Sequence, residues 1–132
     1  MITRADLRKT SREYLAAAAI LRDNRKYDVA VYLCGYAVEI ALKDRICKTL
    51  RWQGFPSTKK EFESLSSFKT HNLEILLQLS GTDYRVKPAL SGYWSIVTKW
   101  DPEQRYNPRG TKTRADADDM IAATENVVKV IL

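Results

Sequence analysis

The chain has 132 residues, a length that suits one ordinary domain with a core of its own and leaves no room for a second. It carries 22 Lys and Arg against 16 Asp and Glu, a formal net charge of +6, which biases its surface toward anionic partners such as nucleic acid or nucleotides. No apolar run approaches the roughly 20 residues that span a bilayer. The opening MITRADLRK lacks the apolar stretch of a secretory signal, and the two cysteines, Cys34 and Cys47, fall inside one apolar segment without metal-ligand spacing. The expectation is a reduced, cytoplasmic protein with no membrane association, no metal and no cofactor.

Thr3-Arg-Ala-Asp6 has capping-box spacing, and Leu7, Tyr14 and Leu21 follow at helical period, so a first helix is expected from about Arg4 to Asn24. Asn24 suits a left-handed C-cap and Asp28 an N-cap, which predicts a short joint and a second helix over about Val29 to Leu50. Gln53-Gly-Phe-Pro-Ser57 ends that helix. The segment to Ser67 has no sustained period and reads as a loop with room for one short turn. A third helix opens near Thr70-His71, carries Leu73, Leu76 and Leu77 on one side, and stops at Ser80-Gly81. Pro88 suits the first turn of a fourth, where Leu90, Tyr93, Trp94, Val97 and Trp100 recur at threes and fours before Asp101-Pro102. Thr113-Arg-Ala-Asp116 repeats the capping-box spacing, and an apolar stripe from Ala117 to Ile131 carries a last helix. Nothing reads as an alternating strand. Residues 1–132 are therefore expected to form a single all-α domain, an antiparallel up-and-down bundle of four to five helices.

The second helix holds the most informative residue. Ala30, Cys34, Ala37 and Ala41 share one narrow stripe that lets another helix approach closely, and the Ala16 to Ala19 segment is the expected partner. Glu39 lies on the opposite side, with Tyr32, Gly35, Lys43 and Ile46 as neighbours. A carboxylate in such apolar surroundings costs several kcal/mol or takes up a proton unless a cation or hydrogen-bond donor meets it. Lys43 at i+4 contributes only about 0.3–0.5 kcal/mol if exposed, so an arginine from elsewhere would be the better partner.

Tyr27-Asp28-Val-Ala30 followed by Gly35-Tyr-Ala37-Val-Glu39-Ile-Ala41-Leu42-Lys43 resembles the second-helix signature of HEPN domains, small antiparallel helical bundles. Thr70-His71-Asn-Leu73-Glu-Ile-Leu76 is similar to the family's third-helix opening, and Trp100-Asp-Pro-Glu-Gln-Arg105-Tyr106 to the end of its fourth. The resemblance implies one of two activities. Many members are metal-independent ribonucleases that act as dimers through an arginine followed four to six residues later by histidine; others lack that motif and bind nucleotides or partner a minimal nucleotidyltransferase. The only histidine here is His71, and the nearest upstream arginine is Arg51. The ribonuclease motif is absent, and with it the usual general acid or base for cleavage at a 2′-hydroxyl.

Arg105 is the expected partner of Glu39, fixing the loop Asp101 to Lys112 against the bundle. In the functional reading the same arginine, with Lys43, Arg109 and the aromatic Trp100 and Tyr106, lines an anion-accepting cleft where a base could stack and a phosphate be neutralised. His71 is read as a capping or packing residue, and Trp52 and Phe55 as a cover for the bundle end. The sequence contains no phosphate-cradling glycine loop, no HExxH and no nucleophile elbow.

Three functions remain open. The first is a non-catalytic nucleotide- or RNA-binding protein, expected as a homodimer and as the partner of a nucleotidyltransferase in a toxin-antitoxin or defence system. The second is a divergent ribonuclease dimer using Arg105 and His71. The third is a helical protein-protein interaction module.

Overall fold

A computed structural model describes residues 1–108 and 110–132. The described residues form an all-α bundle of six helices, one of them a single turn, with one minimal strand pair. Helix α1 (Arg4–Asp23) begins at Thr3, whose hydroxyl accepts from the Asp6 N–H, as the capping-box spacing predicts. Its exit differs from expectation by one residue: Arg25, not Asn24, takes the left-handed conformation, with φ of 60°. The Lys26 N–H donates to the Leu21 carbonyl (2.8 Å) and the Arg25 N–H to that of Arg22 (3.0 Å), the paired bonds of a Schellman motif. Asn24 instead turns its carboxamide back to the Ile20 carbonyl (2.9 Å).

Helix α2 (Tyr27–Leu50) starts ahead of Asp28, which therefore does not serve as its cap. The Asp28 carboxylate is used at long range instead. It accepts from the Gly110 N–H (2.6 Å), the Lys112 N–H (2.9 Å) and the Thr111 hydroxyl (3.1 Å), fastening the connection that leads into the last helix. Burial opposes ionisation of Asp28, but these bonds outweigh it and hold its carboxyl below the usual carboxylate range.

The connection after α2 contains the strand pair. β1 (Ile2–Thr3) runs antiparallel to β2 (Gly54–Phe55), Ile2 opposite Phe55 and Thr3 opposite Gly54. Two residues are too few for alternation to show in a sequence. Next come the single-turn helix α3 (Lys59–Phe62) and a 3₁₀ turn at Ser66–Phe68. Phe55 is fully buried, and Trp52, Phe62 and Phe68 gather around it with adjacent ring centroids 4.9–6.3 Å apart. Phe55 is enclosed by this cluster, while Trp52, Phe62 and Phe68 stay half-buried over the bundle.

Helix α4 (Leu73–Ser80) is capped by Asn72, whose side chain accepts from the Ile75 N–H, and ends at Gly81 with φ of 72°. Helix α5 (Asp83–Val97) begins ahead of Pro88 rather than at it and is kinked at Leu90 (φ −128°, ψ 28°), consistent with a proline that cannot donate to the preceding turn. Asp101 caps a 3₁₀ turn, Pro102–Tyr106. Helix α6 (Arg114–Ile131) carries the complete reciprocal capping box between Thr113 and Asp116.

Helix α2 is the centre of the bundle, packed against α1, α4 and α6. Ala30, Ala37 and Ala41 on its small-residue face and Ala18 of α1 are wholly buried, and the approach is close enough for the Ser11 hydroxyl to donate to the Ala37 carbonyl at 2.7 Å. Leu42, Ile46, Leu76, Leu77, Val97, Val127 and Ile131 fill the core, each burial contributing about 1.5–3 kcal/mol. Cys34 and Cys47 are free and buried, and burial pushes their thiols up to about 12 and about 11, so they are inert packing residues. The α1–α2 interface also contains an ion cluster the sequence reading does not anticipate. Asp44, 2 % exposed, accepts from Arg4 Nε (2.9 Å) and Nη2 (3.4 Å) and from Arg8 Nη1 (3.3 Å). Among the described residues no helix is long and apolar enough to cross a membrane.

Candidate functional site

The site begins with a glycine. The Trp100 indole lies so close over Gly35 of α2 that a Cβ built there would sit 2.0 Å from ring atoms. Its N–H donates to the Tyr32 carbonyl (3.0 Å), and the Tyr36 ring meets it edge-on at 5.0 Å between centroids. Trp100 is 6 % exposed; it is an anchor, with no open face for a base. That anchor holds the start of the 102–106 turn against α2 and leaves an open cleft of about 570 Å³ beside it. The volume falls within the roughly 300–1,000 Å³ typical of small-molecule sites. Tyr36 of α2, His71 to Glu74 at the start of α4, and residues between Thr98 and Arg105 line it.

Glu39 is buried at the side of this cleft and meets two partners. Lys43 Nζ donates to one carboxylate oxygen at 3.1 Å, and His71 Nδ1 lies 2.7 Å from the other. With Glu39 as a carboxylate beside Lys43, this contact selects the tautomer that donates from Nδ1. Nε2 then has no protein partner among the described residues, on a ring that is 60 % exposed and lines the cleft.

The expected Glu39–Arg105 pair is not formed. Trp100 docks at Gly35, one helical turn before Glu39, so the following turn sets Arg105 beside Tyr32 and Tyr36, while the segment leading into α4 brings His71 to Glu39. Arg105 stacks over the ring of the exposed Tyr106, 4.7 Å from its centroid. The phenol groups of Tyr106 and then Tyr32 raise its pKa further, so it stays cationic. The Tyr36 hydroxyl is pushed up to about 12, first by its hydrogen bond with Tyr32 at 3.5 Å and then by burial.

Among the residues singled out from the sequence, Trp100, Arg105 and His71 line one cleft. Lys43 does not: it is committed to Glu39, with its ammonium 5.3 Å from the Phe55 ring centroid. Tyr106 supports Arg105 from outside the cleft. Arg109 lies outside the described residues. Tyr36, Glu74, Asp101 and Glu103 are lining residues that sequence reasoning missed. The helical spacing of Tyr36 suits a core or interface position as well as a cleft wall, and nothing in the sequence brings the carboxylates together.

The electrostatics are mixed. Arg105 and His71 face Glu74, Asp101 and Glu103. Glu74 is answered by Lys87, the main reason its carboxyl lies below the usual range, and it also accepts from the Trp94 indole N–H at 2.7 Å. Asp101 is occupied in capping the 102–106 turn. Glu103 has no side-chain partner among the described residues and lines the same cleft as one cation and a histidine, an arrangement suited to a ligand with both an anionic group and hydroxyl or amino donors. Compared with known proteins, the chain matches no family model, no curated protein and no solved structure.

Proposed function

We propose that the protein is a HEPN-like bundle that binds a nucleotide unit, free or within single-stranded RNA, in the cleft between Tyr36, His71 and Arg105, without catalysis of its own. The observation that carries this reading is the presence of Arg105 and a carboxylate-held His71 on one cleft of nucleotide size. A nucleotide presents an anion for the arginine and ribose hydroxyls or exocyclic amines for Glu103, so the mixed charge of the lining suits it better than it suits inorganic phosphate. Action beside a minimal nucleotidyltransferase, in a toxin-antitoxin or defence setting and as a homodimer, belongs to the same proposal and rests on the sequence resemblance.

Equilibrium binding of 5′-nucleotides and short single-stranded RNA at low salt tests it. The expected result is saturable binding that Arg105→Ala weakens at least ~10-fold, the loss of about one charge-assisted hydrogen-bonded contact. Absence of any affinity would overturn it and leave the interaction module standing.

A second reading is favoured by one observation. Glu39 orients His71 through Nδ1 and leaves Nε2 able to exchange a proton, and Arg105 shares the cleft where a developing negative charge would need a cation. That is the equipment of a metal-independent ribonuclease. RNA cleavage in EDTA, abolished by both His71→Ala and Arg105→Ala, would make this second reading the correct one.

A further inference from the structure

Arg105 borders two cavities. The second, which His71 does not line, is a smaller pocket of about 260 Å³ bordered by Asp28, Val29 and Tyr32 of α2 together with Gln104, Arg105 and Asn107; the Asp28 carboxylate is taken up by residues 110–112. Tyr36 lines the larger cleft and Tyr32 the smaller, and their hydroxyls approach to 3.5 Å, so the two spaces meet along one stretch of α2 with the arginine at the boundary. The small pocket lies below the roughly 300 Å³ lower bound of drug-sized sites, which fits one planar ring system rather than a whole nucleotide.

Its polar groups have unspent capacity. The Asn107 carboxamide bonds none of the described residues. Gln104 donates its amide to the Lys99 carbonyl at 3.3 Å, and its own carbonyl oxygen has no partner among the described residues. A carboxamide both donates and accepts, as the edge of a nucleobase does, and Tyr32 and Val29 supply flat apolar wall. We infer that the small pocket is a nucleobase subsite, and that the ligand is a dinucleotide step of single-stranded RNA. Its linking phosphate lies on Arg105, one base sits in the Tyr32–Asn107 pocket, and the neighbouring nucleotide occupies the cleft with His71. This deepens the proposed nucleotide reading and rests on it.

The test compares dinucleoside monophosphates of each of the four bases with their own 5′-mononucleotides, by titration calorimetry on the full chain. A mononucleotide carries more negative charge than a dinucleoside monophosphate, so a gain for the latter cannot come from charge. At least one dinucleotide should bind ~10-fold more tightly than its mononucleotide, within the range that one stacked base provides. Asn107→Ala should cut that advantage below ~3-fold. Asn107 is exposed, so this variant keeps the fold. Mononucleotide binding with no dinucleotide advantage, or an advantage that survives Asn107→Ala, overturns the subsite alone. If neither ligand binds, the nucleotide reading falls with it.

Discussion

Glu39 shows how far a single residue can be read before its surroundings are known. Its helical position and apolar neighbours require a partner, and both observed partners, Lys43 and His71, meet that requirement. Lys43 was visible at i+4; His71 was not, because a contact across 32 positions depends on where α4 packs. Replacing Glu39 with Gln leaves Lys43, only 19 % exposed, without its anion, and should cost about 2 kcal/mol. Lys43→Gln should cost less, since the carboxylate keeps His71. Thermal melts of the two variants check the order, and equal, negligible losses would mean that the buried pair has no structural role. Gly35 makes a sharper demand. Any side chain there collides with the Trp100 indole, so Gly35→Ala should destabilise by about 3 kcal/mol or displace the 102–106 turn. In the latter case a near-native melting temperature would accompany loss of ligand binding, because Arg105 rides on that turn; a variant that keeps both stability and binding would refute the anchor.

At the scale of elements, what the sequence reveals is what is decided within a few residues. At both capping-box spacings the threonine hydroxyl caps its helix, a bond decided within four residues, but only Thr113 and Asp116 complete the reciprocal box; Asp6 accepts from the Thr3 hydroxyl instead. Asp28 departs from the cap expected of it for the converse reason. It has the chemistry of a cap, but its carboxylate finds three donors in residues 110–112 that no local rule anticipates. The α1 exit missed by one residue: asparagine is the better left-handed residue, yet the Schellman bonds fall where Arg25 must take φ of 60°. Arg25→Gly should therefore stabilise the protein by about 0.5–1 kcal/mol, read as a raised urea midpoint with unchanged slope. Asp28, Asp116 and Glu74 all have depressed folded pKa values. For Asp28 the opposing burial is exceeded by its hydrogen bonds, for Asp116 the Thr113 N–H is the main cause, and for Glu74 it is Lys87. A depressed carboxylate contributes stability that is complete above its unfolded pKa, about 3.9 for Asp and 4.3 for Glu, and is lost as pH falls through the folded value. The melting temperature should accordingly hold between about pH 7 and 5 and decline below about pH 4, with a shallower acid limb in Asp28→Asn. An acid limb that Asp28→Asn leaves unchanged would show that the clasp on residues 110–112 adds nothing to stability.

Across the whole molecule, net charge alone does not say where an anion would bind. The +6 balance and the run of basic residues from Lys43 to Lys60 suggest a broad electropositive surface, but Lys43 is neutralised by Glu39, and Arg45, Lys48, Arg51, Lys59 and Lys60 do not line the cleft that holds Arg105 and His71. Two arrangements with the same total charge therefore predict different salt dependence. A single strand held at the cleft neutralises one or two phosphates, and the logarithm of its binding constant should fall with the logarithm of salt at a slope of about −0.7 to −1.4. A strand laid along the end of α2 and the loop that follows would release four or five counterions, for a slope near −3 or steeper. Titration of a short single-stranded RNA at several salt concentrations separates the two. A shallow slope that Arg105→Ala flattens further assigns binding to the cleft. A steep slope indifferent to Arg105 and reduced by Lys48→Gln with Arg51→Gln would move the interface to the other end of the bundle. In that case the Glu39–His71 couple would be architecture alone, joining α4 to α2 as the Asp44 cluster joins α1.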